Sequence, residues 1–583
     1  MRLFRRFLSE SRDQWALLLL LVLVLIGAAL FEMTAPRLLG QFVDAIVSGL
    51  AKGLYIGTIM DQSDSIILGL IALYGAHAIC TYIGEYIMGG VAEAMVLDLR
   101  KRVSAHLYRL PMSYVNARNR GDLLSRLTSD LDAISETLKE GIPGLISSFI
   151  GIAGAVTMMI LISPTLAAII IGVIVVGIIC LSFTSKWARS IYLRHQEALG
   201  AFNGGVEEVV SGKQIIEAFS LEAIMTKQLM GLNGTLLKTE RKAGFMGQII
   251  MPLVSFMNQI GYVLVAIQGG LFVLRGQITL GDIQAFFLYV TQVSDPISRS
   301  SYILTKFQET QAALGRIYEI LDTPEEEDLG NQCWSGAPKG TITFDNVCFG
   351  YTADKLLLDK VCFTIPCGSL VAIVGPTGAG KTTLVNLIMR FYEISSGTIS
   401  IDGIDIRSLS RQALHQTVGM VLQDTWIFTG TIADNIAYGK PDACREDIVK
   451  VAKLAMADHF IRTLPQGYDT ILKNGADDLS QGQRQLITIA RAFLMNPSVL
   501  ILDEATANVD TRTEVEVQKA MSTLLKDRTG IVIAHRLSTI RDADFLLVVN
   551  DGQIVEQGTH DELLEKGGYY KELYNNYAKG MSV

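Results

Sequence analysis

Charge is scarce in this sequence. Only 19% of its 583 residues are Asp, Glu, Lys or Arg, against 50% apolar ones, and the formal net charge is −8. No basic tract studded with aromatics occurs, which argues against nucleic acid as a partner. The cysteines (80, 180, 333, 348, 362, 367 and 444) form no CxxC pair and no metal-ligand spacing. Most fall in the half expected to face the cytosol, where thiols stay reduced, and all read as small apolar residues.

What the chain has instead is long apolar runs, all in its first ~320 residues. It is too long for one domain, and a mean hydropathy of +0.35 is high for a soluble protein. Six stretches approach the ~20 apolar residues that span a bilayer: 15–35, 65–88, 141–162, 166–186, 249–274 and 279–303. The last is the weakest, because Gln284, Gln292, Asp295 and Arg299 interrupt it. Arg2, Arg5 and Arg6 ahead of the first run also fit a signal peptide. That run is long and meets Pro36 without a clear cleavage site, so a retained span is expected.

Basic residues set the orientation. Arg100, Lys101, Arg102, Arg109, Arg118, Arg120 and Arg126 lie between spans two and three. Lys186, Arg189, Arg194, Lys213, Arg241 and Lys242 lie between spans four and five. Both connections are therefore expected in the cytoplasm, with both termini and the polar second half. Leu123, Leu124, Leu127, Leu131 and Ile134 recur at helical spacing. The connections thus read as helices running below the membrane, or alternatively as a pair of surface helices.

A change of pattern at 323–340, with Pro324, Gly330, Gly336 and Pro338, reads as a linker between a transmembrane domain (1–322) and a second domain (341–583). There, 370–374 is a short apolar run fit for a buried parallel strand. It leads into Gly375-Pro376-Thr377-Gly378-Ala379-Gly380-Lys381-Thr382 and an apolar-periodic helix. This is GxxxxGK[ST] in its strand–loop–helix setting. The glycines let backbone N–H groups surround phosphate oxygens, and the helix N-terminus adds its positive end. Lys381 would reach the outer phosphates and Thr382 would ligate Mg²⁺. A second apolar run, 499–502, ends in Asp503-Glu504. By itself this pair fits a solvated strand end; after a phosphate loop it fits a Mg²⁺-shell aspartate and a carboxylate that orients or deprotonates the attacking water. Ser480 and Gln483 make a capping box ahead of an apolar helix, and such a helix start is also an anion site. His535, after the apolar run 531–534, reads by itself as a structural hydrogen-bonder.

With Leu479-Ser480-Gln481-Gly482-Gln483 between these motifs, the second half resembles the nucleotide-binding domain of ATP-binding cassette transporters. The whole chain is similar to an exporter-type half-transporter. The fold this implies is an all-α membrane domain of six helices followed by an α/β P-loop domain of the ABC ATPase type. The resemblance assigns adenine stacking to Tyr351 and phosphate binding to Gly375, Thr377, Gly378, Gly380, Lys381, Thr382 and Thr383. It assigns Mg²⁺ sensing to Gln423, the Mg²⁺ shell to Asp503, catalysis to Glu504 and γ-phosphate contact to His535. Ser480, Gly482 and Gln483 would complete the ATP site of a second cassette, with Asp510 in the loop that crosses the dimer interface. The segments 110–116 and 203–217 resemble coupling helices, and 304–321 the link from the last span to the cassette.

Two departures matter. Gln481 stands where the usual signature has glycine, and Lys473-Asn474-Gly475-Ala476 lacks the acidic residue common there in homodimeric exporters. Both resemble one half of a heterodimeric exporter, in which this chain would give its catalytic carboxylate to the competent site. A homodimer is the alternative. Within the spans, Glu85 is the expected contact for a cationic group, with Gln248, Asn258, Gln259, Gln268 and Gln284 as polar lining or as interhelical hydrogen-bonders. The leading expectation is ATP-driven export of hydrophobic or amphipathic compounds across the plasma membrane. A lipid flippase and an ATP-gated channel or regulatory membrane ATPase are the rivals. A peptide exporter that trims its cargo is not expected, given the short stretch before Trp15.

Overall fold

The computed structural model describes residues 2–578 apart from 329, 335, 353, 354, 423, 424, 474, 477, 504–510, 535 and 536, without the side chains at 56, 185, 250, 251, 297–301, 511, 512, 538, 577 and 578. It divides into two compact units, Met1–Tyr108 with Arg120–Thr323, and Arg109–Asn119 with Pro324–Val583. The segment 109–119, which the sequence reading placed in the domain 1–322, thus belongs with the second unit.

The first unit is built from long helices. A short amphipathic helix, α1 (Arg2–Glu10), is followed by α2 (Trp15–Ala51) and α3 (Ile56–Leu107). After the segment that joins the other unit come α4 (Ile142–Ile162), α5 (Pro164–Ser211), α6 (Glu222–Leu274) and α7 (Leu280–Asp322). Among the described residues, five helical stretches are long and apolar enough to cross a membrane: Arg12–Ala51, Gly57–Leu107, Arg120–Ile162, Pro164–Ser211 and Glu222–Leu274. Helix α7 is not among the five; Gln284, Gln292 and Asp295 dilute its apolar half. It is nevertheless central to the packing, because Phe286, Tyr289, Val290 and Val293 are buried against Met159, Leu166, Ile170 and Val265.

Between these helices the fastening is polar as well as apolar. Tyr289 donates its hydroxyl to the Met33 carbonyl (2.7 Å), Ser294 donates to Asn258 Oδ1 (2.6 Å), and the Tyr262 and Thr291 hydroxyls lie 2.7 Å apart. Thr279 and Asp282 cap the start of α7 reciprocally. One residue further in, the Gly281 N–H donates to Asp44 Oδ1 of α2 (2.8 Å). The backbones of α2 and α7 meet here at Gly40 and Gly281: a Cβ on Gly281 would lie 1.9 Å from the Gly40 carbonyl oxygen. Small residues that let helix backbones touch are the usual means of close packing in lipid.

The connection between spans two and three does not continue as one helix. Beyond 109–119 it resumes as Arg120–Leu127 and Ser129–Glu136, then passes through a π turn at Thr137–Gly141 into α4. Charged pairs hold it to α7: buried Arg126 reaches Glu319 (2.9 Å) and Asp122 (3.0 Å), and Arg316 forks onto Asp130 (2.7 and 2.5 Å).

Among the described residues the second unit has two large sheets, besides a two-stranded pairing of Gly430–Thr431 with Ile471–Leu472. Strands β1 (Ile342–Phe349), β2 (Leu358–Ile365), β4 (Ser396–Ile401) and β5 (Ile404–Asp405) form an antiparallel sheet in the order β2-β1-β4-β5. Strands β3 (Leu370–Val374), β6 (Val418–Val421), β7 (Val499–Asp503), β8 (Thr529–Ile533), β9 (Phe545–Asn550) and β10 (Gln553–Gly558) form the other, ordered β10-β9-β3-β8-β7-β6. All of its neighbours run parallel except β10, which closes the edge antiparallel to β9. Val371, Ile373, Ile501 and Ile531 are wholly buried, as parallel strands covered on both faces require.

Candidate nucleotide site

In an open parallel sheet, ligands bind beyond the carboxyl ends of the strands. Here β8 lies between β3 and β7, with Ile533 opposite both Ile373 and Asp503. The phosphate loop leaves β3 and Asp503 ends β7, so motifs more than a hundred residues apart in sequence issue from one edge of the sheet.

The loop's shape comes from its glycines. Gly375, Gly378 and Gly380 hold φ of +158°, +85° and +105°; the latter two lie in the region that penalises a side chain. At Gly375 a Cβ would also sit 2.1 Å from the Val549 carbonyl oxygen. Gly380 then precedes a helix, α8 (Lys381–Ile388), as its N-cap. Thr377, Gly378 and Thr382 are exposed on the loop's outer side, while Thr383 is buried.

Lys381 is only 6% exposed, and its ammonium donates to the Gly375 and Pro376 carbonyls (2.6 and 2.9 Å). Burial pushes its pKa below the ordinary lysine value, while the charge of Asp503 acts the other way. A desolvated cation held by carbonyls, beneath backbone turned outward by glycines, is a cradle for a polyanion. These residues fit a nucleoside triphosphate. Thr382 at the helix start and Asp503 at the end of β7 are the described residues that would hold Mg²⁺.

Tyr351 is 52% exposed. Its ring stands edge-on to Phe349 (5.0 Å, 82°) and Tyr392 (5.1 Å, 89°), and its hydroxyl lies 3.1 Å from that of Thr383. The site's aromatic side is thereby tied to its phosphate side. Sequence reasoning missed Tyr392, which no motif marks. Its hydroxyl accepts a hydrogen bond from Asn116 Nδ2 (2.9 Å) in the short helix Met112–Asn116. The Glu326 N–H donates to the Arg109 carbonyl (2.8 Å), holding the other end of that segment to the same unit.

The signature opens helix α9 (Gln481–Met495). Ser480 Oγ accepts from the Gln483 N–H (3.2 Å), and Gln483 Oε1 accepts from the Ser480 N–H (3.0 Å). Ser480 is exposed, Gln481 and Gln483 are half-buried, and Gly482 is buried. This helix start rests on a different apolar cluster from the phosphate loop: Leu479 and Leu486 in one, Ala379 and Leu384 in the other. Arg491, also missed, anchors α9. Its guanidinium donates to the Asn435 carbonyl (2.6 Å), to Asn435 Oδ1 (2.7 Å) and to the Trp426 carbonyl (2.8 Å). Burial pushes its pKa below the ordinary arginine value.

Gln423, Glu504, Asp510 and His535 lie outside the described residues. In the membrane unit, Glu85 and Gln259 are exposed and Gln284 is half-buried. None of the three lines the small apolar cavity beside Asn258 or the larger one beside Glu32.

Comparison with known proteins bears on both units. The family described as "ABC transporter transmembrane region" matches residues 18–297, and "ABC transporter" matches residues 358–507. The "Fatty acid ABC transporter ATP-binding/permease protein" of Mycobacterium tuberculosis is 42% identical, over 86% of this chain and 80% of its own. The chain belongs to the ABC transporter family. This ABC transporter is also 35% identical to the "ATP-dependent lipid A-core flippase" of Syntrophus aciditrophicus, over 87% of the chain and 84% of that protein. Among solved structures, a bacterial Atm1-family ABC exporter with ATP bound superposes with a TM-score of 0.73 at 26% identity, covering 98% of each chain. The chain is thus an exporter-type ABC protein, a multi-pass integral membrane protein whose second unit is an ATP-binding transport ATPase.

Proposed function

We propose that this ABC transporter exports hydrophobic or amphipathic compounds by alternating access, as one half of a dimer in the plasma membrane with its ATPase unit in the cytoplasm. The observation that carries the dimer is the signature. Ser480 starts α9 with an exposed, capped N-terminus, built on an apolar cluster separate from that of its own phosphate loop. Such a helix end is an anion site that a phosphate held by another chain would fill.

When bound, ATP with Mg²⁺ supplies the phosphoryl group whose hydrolysis drives the cycle. Lys381 and the loop amides would neutralise its outer phosphates, Thr382, Asp503 and Gln423 would hold the metal, and Tyr351 would take the adenine. Glu504 would orient and deprotonate the attacking water, and His535 would contact the γ-phosphate. Asp510 would lie in the loop that meets the second chain. Gln481 favours a heterodimer, because its amide replaces the usual glycine at the helix end that faces phosphate. Two relatives are named for fatty acid and lipid A-core substrates; both are amphipathic, which supports that substrate class and keeps lipid transport as the second reading.

The test is ATP turnover by the chain purified alone in lipid, beside Glu504→Gln. Silence from a folded, ATP-binding chain is the result expected of a heterodimer half. Turnover abolished by the substitution would establish that the chain pairs with itself and that Gln481 is tolerated.

A further inference from the structure

The membrane unit has a half-open cavity of about 420 Å³ between α2, α3, α4 and α7, large enough for the head of a drug-sized molecule. Met33 and Leu288 make part of its wall apolar, while Glu32, Asp295, Gln292 and Tyr74 make the rest polar or aromatic. We propose that this cavity binds the cationic head of an amphipathic substrate, with Glu32 and Asp295 as its counter-charges. The proposal rests on the export reading above and gives it a substrate class.

Depth is the first reason. Roughly 25 Å of helix separates Trp15, where the apolar run begins, from Glu32, which puts the carboxylate within the hydrocarbon layer. Ionised groups at that depth are costly and are ordinarily paired. Neither carboxylate has a hydrogen-bonding or ion-pair partner among the described residues, and no Lys, Arg or His is among the described residues lining the cavity. Two carboxylates with no cation facing them among the described residues leave a site whose complement is a positive charge.

Position is the second reason. Gln292 Nε2 donates to the Glu32 backbone carbonyl (3.2 Å). This bond fixes the turn of α7 that carries Asp295 beside the turn of α2 that carries Glu32, so both acids serve one cavity. Tyr74 adds aromatic surface of the kind that favours quaternary or delocalised cations, and Met33 adds an adaptable apolar wall. A fatty-acid carboxylate would meet like charge in this cavity.

The experiment measures binding without nucleotide, so that a failure to hydrolyse ATP or to transport, which would count against the export reading, leaves it readable. The full chain in phosphatidylcholine nanodiscs is titrated with tetraphenylphosphonium and, separately, with oleate. Tetraphenylphosphonium should bind saturably, and Glu32→Gln with Asp295→Asn should weaken that binding about tenfold or more. Should the double variant fail to elute and melt as the wild type does, Asp295→Asn alone replaces it and should weaken binding about threefold or more. Equal affinity in the folded variant would overturn the proposal. So would oleate binding more tightly than the phosphonium and losing that binding in the same variant.

Discussion

In the ATPase unit, strands β3, β7 and β8 run through the core with side chains almost wholly buried. In the membrane unit, Leu19, Leu23, Leu68 and Phe149 face outward from helices that meet one another through glycines and hydroxyls. Removal of apolar surface from water can hold the first together. It cannot hold together helices whose alternative surroundings are lipid, so close backbone packing and interhelical hydrogen bonds take its place. Function is written differently in consequence. The sheet brings short contiguous motifs to one edge, whereas the helix bundle brings single residues together from distant spans.

Substitutions can test that contrast, and the largest effect is expected where a contiguous motif does the chemistry. Lys381→Ala removes the buried ammonium of the phosphate loop; in the catalytically competent assembly it should lower the rate of phosphate release by about a hundredfold or more. Next comes Arg491→Ala, which would leave the Asn435 and Trp426 carbonyls without this donor and the buried Asn435 Oδ1 with only the Phe428 N–H (2.9 Å). Acceptors left in that state should destabilise the ATPase unit by about 1–3 kcal/mol, read as a lower unfolding midpoint of that unit. A comparable cost for a single hydrogen-bonding side chain between spans would break the contrast, since pairs of that kind in lipid are worth only about 0.6 kcal/mol on average.

The same division explains what the sequence disclosed. The phosphate loop, the strand before it and the capped signature helix were all legible, because glycine spacing, an apolar run and a Ser–Gln pair are local signals. Asp503 was legible because it ends its own strand. Tyr392 and Arg491 were not, since each acts through a partner far along the chain, Asn116 and Asn435, and neither sits in a motif. In the membrane unit the reading turned on apolar length, so Asp295 registered only as an interruption of the sixth span and Glu32 passed inside the first. Glu85 stood out by its charge, yet only the packing of α2 against α7 reveals which acids share a cavity.

Helix contact through glycine should be the membrane unit's most sensitive point. Gly281→Val would place a Cβ 1.9 Å from the Gly40 carbonyl oxygen, and the helices would have to separate. The cost should be about 1–3 kcal/mol, as for other overpacked sites, seen as earlier loss of helical signal on heating the detergent-solubilised chain. Gly89→Ala is the matched control: nothing lies within 4 Å of its added Cβ, and no destabilisation is expected. If both behave alike, small-residue packing is not what holds α2 to α7.

The smallest effect concerns a residue that follows neither pattern. Tyr392 belongs to the ATPase unit, but its role is of the membrane kind, a single side chain joining elements distant in sequence. Its ring supports Tyr351 and its hydroxyl holds Asn116, so it links the adenine side of the site to the segment 109–119. Tyr392→Phe keeps the ring contact and removes only the hydrogen bond, at a cost of about 1 kcal/mol or less. Nucleotide affinity should therefore change little, while hydrogen exchange at 112–116 should quicken. Tyr392→Ala should do both, weakening ATP binding and loosening the segment, because the support behind Tyr351 goes as well. Were Tyr392→Phe to weaken ATP binding as much as Tyr392→Ala, the hydroxyl rather than the ring would be what supports the adenine platform, and the two roles assigned to this side chain would collapse into one.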